Sequence, residues 1–377
     1  MMKTPTKILL ALLITTGTWA QERQGFEVET QSGYEYNYFK SPRQVRQGTV
    51  VLTEADLIAS SSYQDILMDY DYRYKWNRNR IRLSVSPFAR LFQENFEDSY
   101  WSVLATAKYD YDLNRNTEFL AEVVFKRMNR EGLDGAQDVL INPLGYTVYG
   151  ASSGLKFELF PKNETVLEAF YNFKDFDAFG VRDLQYNEFG VKFGLQQEFG
   201  SNGLDHKYGI TGYVKKRLYD TFNASDVTTE GERDWNYVKV TGFYTYPISE
   251  TFELKPSFVY YTRTDVLANR SGFDQLGPGL GLKFDDDRTR FRAKVSYLTR
   301  NYTDFEARDT NGPLGEKIRY TYADISLNAS HKLGNGGFSL TATAYSRVRA
   351  TNYTDIDARS FRGYRNQYAG LGIKWEL

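Results

Sequence analysis

Seven basic side chains recur at matching positions along this 377-residue sequence, and their pattern is suited to steering anions. Each follows the centre of a short turn sequence by about 11 to 14 residues and falls on the polar parity of an alternating segment. Alternation with period two predicts β-strands, so these side chains would lie at one height. A ring of like charge around a lumen attracts anions and repels cations. The predicted pore-lining ring consists of Arg90, Lys126, Lys174, Arg217, Arg263, Arg300 and Arg347.

The same cations could instead have a purely structural role. They could be neutralised by carboxylates on the same wall, such as Asp110, Glu122 and Glu188, and then only stiffen the sheet. Contact with anionic lipid head groups at the rim is a further alternative. The inward parity of the side chains weighs against it.

A second charge pattern separates the start of the chain from its later part. The first two predicted strands send carboxylates inward, whereas the eleventh to thirteenth send cations inward. In a closed cylinder these walls would lie roughly opposite one another and set a field across the lumen. The opposing acidic wall comprises Glu27, Glu29, Glu35, Asp69 and Asp71. The basic wall comprises Lys255, Arg263, Lys283, Arg290, Arg292, Lys294 and Arg300.

A candidate constriction loop follows the fifth predicted strand. Residues 128–143 carry Glu131, Asp134 and Asp138 together with two glycines. By position and composition this segment resembles the inward-folded constriction loop of sixteen-stranded porins. A solvated surface loop is the alternative, because acidic, glycine-containing loops are ordinary at protein surfaces.

The elements that must position these residues form a repeat of strand, short turn, strand and longer loop. Seven tight connections, such as Asn77-Arg78-Asn79 and Gly334 to Gly337, alternate with eight others that are mostly longer and polar. This alternation places the short turns and both termini at one end, the periplasmic end of an outer-membrane barrel. The sixteen predicted strands cover 26–38, 63–76, 80–92, 99–113, 117–127, 145–160, 164–175, 184–199, 206–219, 234–247, 251–264, 274–285, 288–302, 318–333, 337–350 and 363–377.

The predicted fold class is all-β: a transmembrane antiparallel up-and-down β-barrel of about 16 strands. Phe338, Leu340 and Ala342 share one parity of a strand and Ser339 and Thr341 the other, as a strand between lipid and water requires. In the last segment the residues of one parity are apolar and run to the final position: Ala369, Leu371, Ile373, Trp375 and Leu377. This segment resembles the terminal strand of bacterial outer-membrane porins and related barrels, although a terminal Phe is common there. The later hairpins, with sequences such as Arg233 to Tyr237, also resemble barrels of polysaccharide-export and surface-lipoprotein-assembly proteins.

The domain organisation follows from the first twenty residues. Lys3 and Lys7 precede an apolar run that is too short to span a bilayer as a helix, so residues 1–20 are predicted to be a signal peptide and 21–377 the barrel. The mean hydropathy of −0.55 is compatible with this, because a barrel needs apolar residues only at alternate positions. The 30 Tyr and 26 Phe fit the aromatic girdles of a barrel.

Several function classes are disfavoured by composition. The chain has no Cys and two His, which leaves little for thiolate or imidazole chemistry, so we expect no enzyme, no cofactor and no metal site. The balance of 47 basic and 48 acidic residues gives no information about nucleic acid or acidic partners, and we expect no nucleic-acid partner for an outer-membrane barrel. The partners expected instead are outer-membrane lipid, small anionic or polar solutes, and proteins that contact the surface loops.

The function predicted from these patterns is an outer-membrane pore for passive passage of small polar, mainly anionic, solutes, which include oligosaccharides as candidates. The alternative is a non-conducting barrel subunit of a secretion, export or surface-assembly complex. The apolar run Val50-Val51-Leu52 in the first surface loop favours that alternative, because a pore has no need of apolar residues in a surface loop.

Overall fold

The fold was analysed in a computed structural model. It describes residues 21–129, 132–133, 140–142, 145–177, 185–221, 234–266, 271–358 and 360–377. The predicted signal peptide, residues 1–20, lies outside the described residues. Among the residues described, no helix is long and apolar enough to cross a membrane.

Sixteen long strands form a closed antiparallel barrel in which every strand pairs with its neighbours in sequence and the first pairs with the last. This confirms the predicted fold class and strand number. The barrel strands are β1 (Gln21–Tyr36), β2 (Ser60–Trp76), β3 (Asn79–Phe92), β4 (Tyr100–Asn114), β5 (Thr117–Met128), β6 (Tyr146–Phe157), β7 (Asn163–Phe176), β8 (Gln185–Ser201), β9 (Leu204–Thr221), β10 (Asp234–Pro247), β11 (Phe252–Asp265), β12 (Phe273–Asp285), β13 (Thr289–Asp309), β14 (Gly312–Lys332), β15 (Phe338–Thr351) and β16 (Tyr364–Glu376).

Smaller elements lie in the connections. The segment between β1 and β2 holds a hairpin of Val45–Gln47 with Val50–Leu52 and a one-turn helix, Glu54–Leu57. A 3₁₀ turn, Phe96–Asp98, follows β3. Between β5 and β6 the short strands Gly132–Leu133 and Leu140–Asn142 pair with one another.

Local sequence explains the tight turns at one end of the barrel. Between β8 and β9, Asn202 and Gly203 have φ angles of 53° and 76°. Positive φ at both central residues matches the twist of the flanking strands, and Asn-Gly is the residue pair that adopts it at least cost. We call this end, which also holds both chain ends of the barrel, the short-turn end, and the opposite end the long-loop end.

The outside of the barrel is apolar, as the alternation predicts. On β16 the outward Leu371 and Ile373 are 72% and 50% exposed, and Val123 on β5 is 60% exposed. Contiguous apolar exposure of this extent is unstable in water and stable in lipid. Closure is required there, because hydrocarbon cannot satisfy the amides of a free sheet edge.

One boundary prediction is wrong. Residues 303–317 were expected to form a surface loop, but β13 and β14 continue through them as a paired hairpin, with Glu306 opposite Lys317 and Asp309 opposite Gly312. The register shifts between Asn301 and Glu306 and again before Arg308, so the alternation that identifies a strand is interrupted there. One face of this extension is apolar, because Phe305 and Ala307 pack with Tyr302 and Tyr320.

Candidate functional site

The seven predicted ring cations all face the lumen near the long-loop end. Cross-strand registers place them at successive positions around the wall: Lys126 and Lys174 both lie opposite Val148, and Arg300 lies opposite Gln275 and Tyr320. Each of the seven thus shares a face of the sheet with its cross-strand partners. Two of them are buried by neighbouring side chains, Arg90 at 8% exposed and Arg263 at 2% exposed, and the other five are half-buried.

Three of the seven are neutralised by carboxylates. Arg90 contacts Asp65 and Glu35 at 2.7 Å and 2.6 Å. Arg217 contacts Glu188 at 2.7 Å, and Lys215 contacts the same carboxylate at 3.0 Å.

Arg347 completes this group, because its Nε and Nη2 donate to the two carboxylate oxygens of Asp324 at 2.8 Å and 2.9 Å. Among the described residues, carboxylate pairing of the kind proposed in the structural alternative is seen at Arg90, Arg217 and Arg347. Glu188 is one of the carboxylates proposed for it, whereas Glu122 pairs with Lys108 and Asp110 lies nearest Arg80.

The other four cations contact aromatic rings. The Nζ atoms of Lys126 and Lys174 lie 5.8 Å and 3.5 Å from the ring centroid of Tyr146. Arg300 lies 4.2 Å from the ring centroid of Phe273 and donates from Nε to Gln275. Cation–π contacts stabilise a charge without cancelling it.

Arg263 is the most enclosed of these four. Its guanidinium lies 4.3 Å from the ring centroid of Trp235 and 4.8 Å from that of Phe273. Nη2 donates to the carbonyl oxygen of Ser271 at 3.0 Å. Within the described part of the chain, Nε and Nη1 have no hydrogen-bond partner.

Three clusters of buried aromatic side chains, together called the aromatic layer, lie at this height. Sequence reasoning missed it as part of the site, although the aromatic residues share the lumen parity of the cations. The layer packs tightly: the rings of Tyr38 and Phe92 stack with centroids 4.4 Å apart. Its buried members are Tyr38, Tyr63, Phe92, Tyr100, Tyr219, Trp235, Tyr237, Phe273, Tyr302, Tyr320, Tyr322 and Tyr353.

Two long-loop segments help to close this mouth. Residues 37–59 and 352–358 meet through a backbone hydrogen bond from Arg46 N to Ile356 O of 2.6 Å and an ion pair from Arg46 to Asp357 of 3.1 Å. Asn37 is buried and donates from Nδ2 to the carbonyl oxygens of Ser41 and Arg365. The mouth is therefore packed, whereas lumen side chains nearer the short-turn end are more exposed.

Each residue of the predicted acidic wall faces the lumen and has a bonded partner. Glu35 belongs to the Arg90 cluster, and Asp71 accepts from Arg73 and Arg82 at 2.5 Å each. The remaining partners are Lys374 for Glu27, Thr341 for Glu29 and Ser86 for Asp69. The two walls lie four to seven strand steps apart in a ring of sixteen, where eight steps would be diametrically opposite. They therefore face one another obliquely.

Unpaired cations occur lower in the lumen. Lys255, Arg292 and Lys294 belong to the predicted basic wall, and Lys239 on β10 was missed. Among the described residues, none of the four has an ion-pair partner. The side chains of Lys255, Arg292 and Lys294 are exposed, so they are accessible to water in the lumen.

Two further expectations bear on the site. Glu131, Asp134 and Asp138 of the candidate constriction loop lie outside the described residues. In the described ranges, no cluster of three or more His, Cys, Asp or Glu side chains is arranged to hold a metal ion.

Comparison with solved structures gives bacterial outer-membrane barrels. A bacterial polysaccharide outer membrane secretin superposes with a TM-score of 0.44 at 10% identity, covering 94% of this chain and 98% of its own. The outer membrane protein OpdK from Pseudomonas aeruginosa superposes with a TM-score of 0.41 at 10% identity, and the match covers 94% of this chain and 98% of OpdK. The alcaligin receptor FauA from Bordetella pertussis superposes with a TM-score of 0.41 at 14% identity. The match covers 86% of this chain, and this chain spans about half the length of the receptor, 51%.

No protein-family model matches the sequence, and neither does any curated protein. The likeness to solved structures concerns the fold alone. Placement of the protein therefore rests on its own geometry, in which a closed up-and-down barrel has an apolar exterior and a polar lumen. The chain is a sixteen-stranded β-barrel of the bacterial outer membrane.

Proposed function

We propose that this barrel is an outer-membrane channel that passes small polar solutes and favours anions. The observation that carries the proposal is the set of lumen cations without carboxylate partners among the described residues: Lys126, Lys174, Lys239, Lys255, Arg292 and Lys294. An ion pair contributes little net potential along a passage, whereas an unpaired cation lowers the energy of an anion nearby. The mechanism is electrostatic guidance and contains no chemical step.

The aromatic layer supports a narrow route at the long-loop end. Rings such as Tyr345 and Tyr368, whose centroids lie 5.3 Å apart, offer flat faces to a solute. Stacking on such faces is how proteins hold sugar rings, so oligosaccharides remain candidate solutes. Because the mouth is packed, we propose that conduction requires movement of the segments 37–59 and 352–358.

The packed mouth also favours a second candidate, a non-conducting barrel subunit of a secretion, export or surface-assembly complex. Val50 and Val51, in the small hairpin between β1 and β2, are 58% and 41% exposed. Exposed apolar side chains in a surface loop are typical of a contact site for another protein.

Single-channel recording in a planar bilayer under a salt gradient tests the proposal. We expect a reversal potential that reports anion preference. The double variant Lys126→Gln with Lys174→Gln should reduce the anion-to-cation permeability ratio by at least about twofold, because two unpaired charges leave the mouth. The matched control, Glu168→Gln with Lys192→Gln, removes both members of a lumen ion pair and should leave the ratio unchanged. Cation preference, or an unaltered ratio in the first variant, contradicts anion selectivity, and a closed trace under all conditions favours the second candidate.

A further inference from the structure

Three neighbouring strands form a bay in the lumen wall on the short-turn side of the aromatic layer. Along one row of the sheet, Lys255 on β11 and Lys294 on β13 both lie opposite Gly281 on β12. In the next row, Ser257 and Ser296 lie opposite Gly279 in the same way. The central strand therefore contributes no side chain in two successive rows, while its neighbours contribute two ammonium groups and two hydroxyls.

The spacing suits one small ligand. Strands are about 4.8 Å apart, so Lys255 and Lys294 have Cα atoms about 10 Å apart across Gly281. Their flexible four-carbon stems allow both Nζ atoms to converge on a single group above the glycine floor. A lumen cavity of about 720 Å³, lined in part by Lys255, Gly281, Lys283 and Arg292, adjoins the bay on its short-turn side.

The local charge is unbalanced. On these strands Glu253 lies 3.5 Å from Lys283 and Asp285 lies 3.3 Å from Arg290, whereas Lys255, Arg292 and Lys294 have no ion-pair partner among the described residues. Lys255 contacts the ring of Phe243, with Nζ 4.1 Å from the centroid, and this contact does not cancel its charge. Two further carboxylates line the cavity: Glu198, which is held by Lys207 at 2.5 Å, and Asp205. An anion in the bay would relieve the mutual repulsion of the cations.

We propose that this bay binds a tetrahedral oxyanion, the phosphate or sulfate group of a solute in transit. The ammonium groups of Lys255 and Lys294 supply charge-assisted hydrogen bonds, and Ser257 and Ser296 supply hydroxyl donors. Arg292 adds positive potential from the adjacent row. The inference deepens the proposed function by giving the anion a binding step within the lumen.

Isothermal titration of the full barrel in detergent micelles with inorganic phosphate at constant ionic strength tests the bay. Lys255→Gln with Lys294→Gln should weaken phosphate binding by at least about tenfold, because two charge-assisted contacts are lost. Gly281→Leu should weaken it comparably without any change of charge, because it fills the bay. A Cβ at that position meets only ordinary contacts, Lys255 Cβ at 3.5 Å and Lys255 O at 3.6 Å, so the barrel should accommodate it.

The control and the bilayer measurement separate this inference from the proposed function. Glu168→Gln with Lys192→Gln should bind phosphate as the unaltered chain does. Failure of the unaltered chain to bind phosphate, or binding that Gly281→Leu leaves unchanged, overturns the bay even if the channel is anion-selective. If the barrel binds phosphate through these residues but never conducts, the proposed binding site stands and the proposed channel function is overturned.

Discussion

Arg90 and Asp65 form a two-pronged ion pair inside the barrel, with Nε to Oδ1 at 2.8 Å and Nη2 to Oδ2 at 2.7 Å. The third nitrogen, Nη1, donates to Glu35 at 2.6 Å, and the guanidinium lies 4.0 Å from the ring centroid of Tyr63. One arginine thus joins β1, β2 and β3 beside the seam where β1 meets β16. All three charged groups are buried, so the cluster is a structural element of the mouth.

Removal of the arginine should therefore cost far more stability than removal of an exposed one. Arg90→Met leaves Asp65 and Glu35 buried without their cation, and we expect the free energy of unfolding to fall by about 3 to 5 kcal/mol. Arg73→Met removes an exposed partner of Asp71, which keeps Arg82, and should cost about 1 kcal/mol or less. Urea unfolding in micelles, followed by tryptophan fluorescence, measures both. Equal losses would show that the Arg90 cluster is not a structural element.

The position of Tyr63 depends on two glycines across the seam. A Cβ at Gly370 would lie 2.5 Å from Tyr63 Oη, and a Cβ at Gly33 would lie 2.6 Å from the same ring. Tyr63 is fully buried over this glycine pair, and its ring contacts the guanidinium of Arg90.

Gly370→Ala should consequently destabilise the barrel by about 1 to 3 kcal/mol, because the ring must move and disturb the ion pair above it. Gly25→Ala is the matched control: it lies on β1, and a Cβ there meets nothing within 4 Å. It should leave stability unchanged or slightly increased. Urea unfolding of the two variants compares them, and a neutral effect of Gly370→Ala would mean that Tyr63 relaxes without cost.

The sequence predicts the barrel well because its information is local. Alternation between lipid-facing and lumen-facing residues can be recognised within the sequence of each strand, and turn residues such as Asn202 and Gly203 mark the ends of the strands. The hairpin extension through residues 303–317 was not predicted, because its register shifts interrupt the two-residue alternation by which a strand is recognised.

Local sequence predicts the positions of the charged residues in the candidate site, but it does not predict their partners, because those depend on the register between strands. Parity and distance from a turn place Arg90 at the mouth, but its partner Asp65 is 25 positions away in sequence and is brought opposite by the register of β2 with β3. A shift of one residue would turn Asp65 toward lipid. The burial of Arg263 between Trp235 and Phe273 depends likewise on packing between strands, which no local pattern reports.

A carboxylate outside the spanning strands should make the mouth sensitive to acid. Glu94, just after β3, accepts hydrogen bonds from the hydroxyl of Ser61 and from Ser62 N, the latter at 2.6 Å. These bonds, led by the one from Ser61, lower the pKa of Glu94 below its ordinary value of 4.5. A lowered pKa means that the contact is complete above the ordinary value and is lost as pH falls through the folded-state pKa.

A single spin label reports this transition, because the chain has no Cys. A nitroxide on Phe96→Cys, at an exposed position of the 3₁₀ turn, should remain restricted at neutral pH and gain mobility only below about pH 4.5. Adding Glu94→Gln should give higher mobility at neutral pH and abolish the pH dependence. Mobility that rises with acid in the Glu94→Gln background would assign the effect to another group.

Tyr38 is the side chain whose removal should open the mouth most directly. It is 1% exposed, stacks on Phe92 and donates from Oη to Asp98 at 2.5 Å. Burial and then Asp98 raise the pKa of Tyr38, so the phenol stays a donor at physiological pH. If solutes pass the aromatic layer, Tyr38→Ala should increase single-channel conductance, because it removes a ring that anchors the segment 37–59 over the lumen. Phe96→Ala removes an aromatic ring that is 68% exposed at the same end and should leave conductance unchanged. A folded Tyr38→Ala barrel, verified by its thermal transition, that conducts no better than the unaltered chain would place the barrier elsewhere in the lumen.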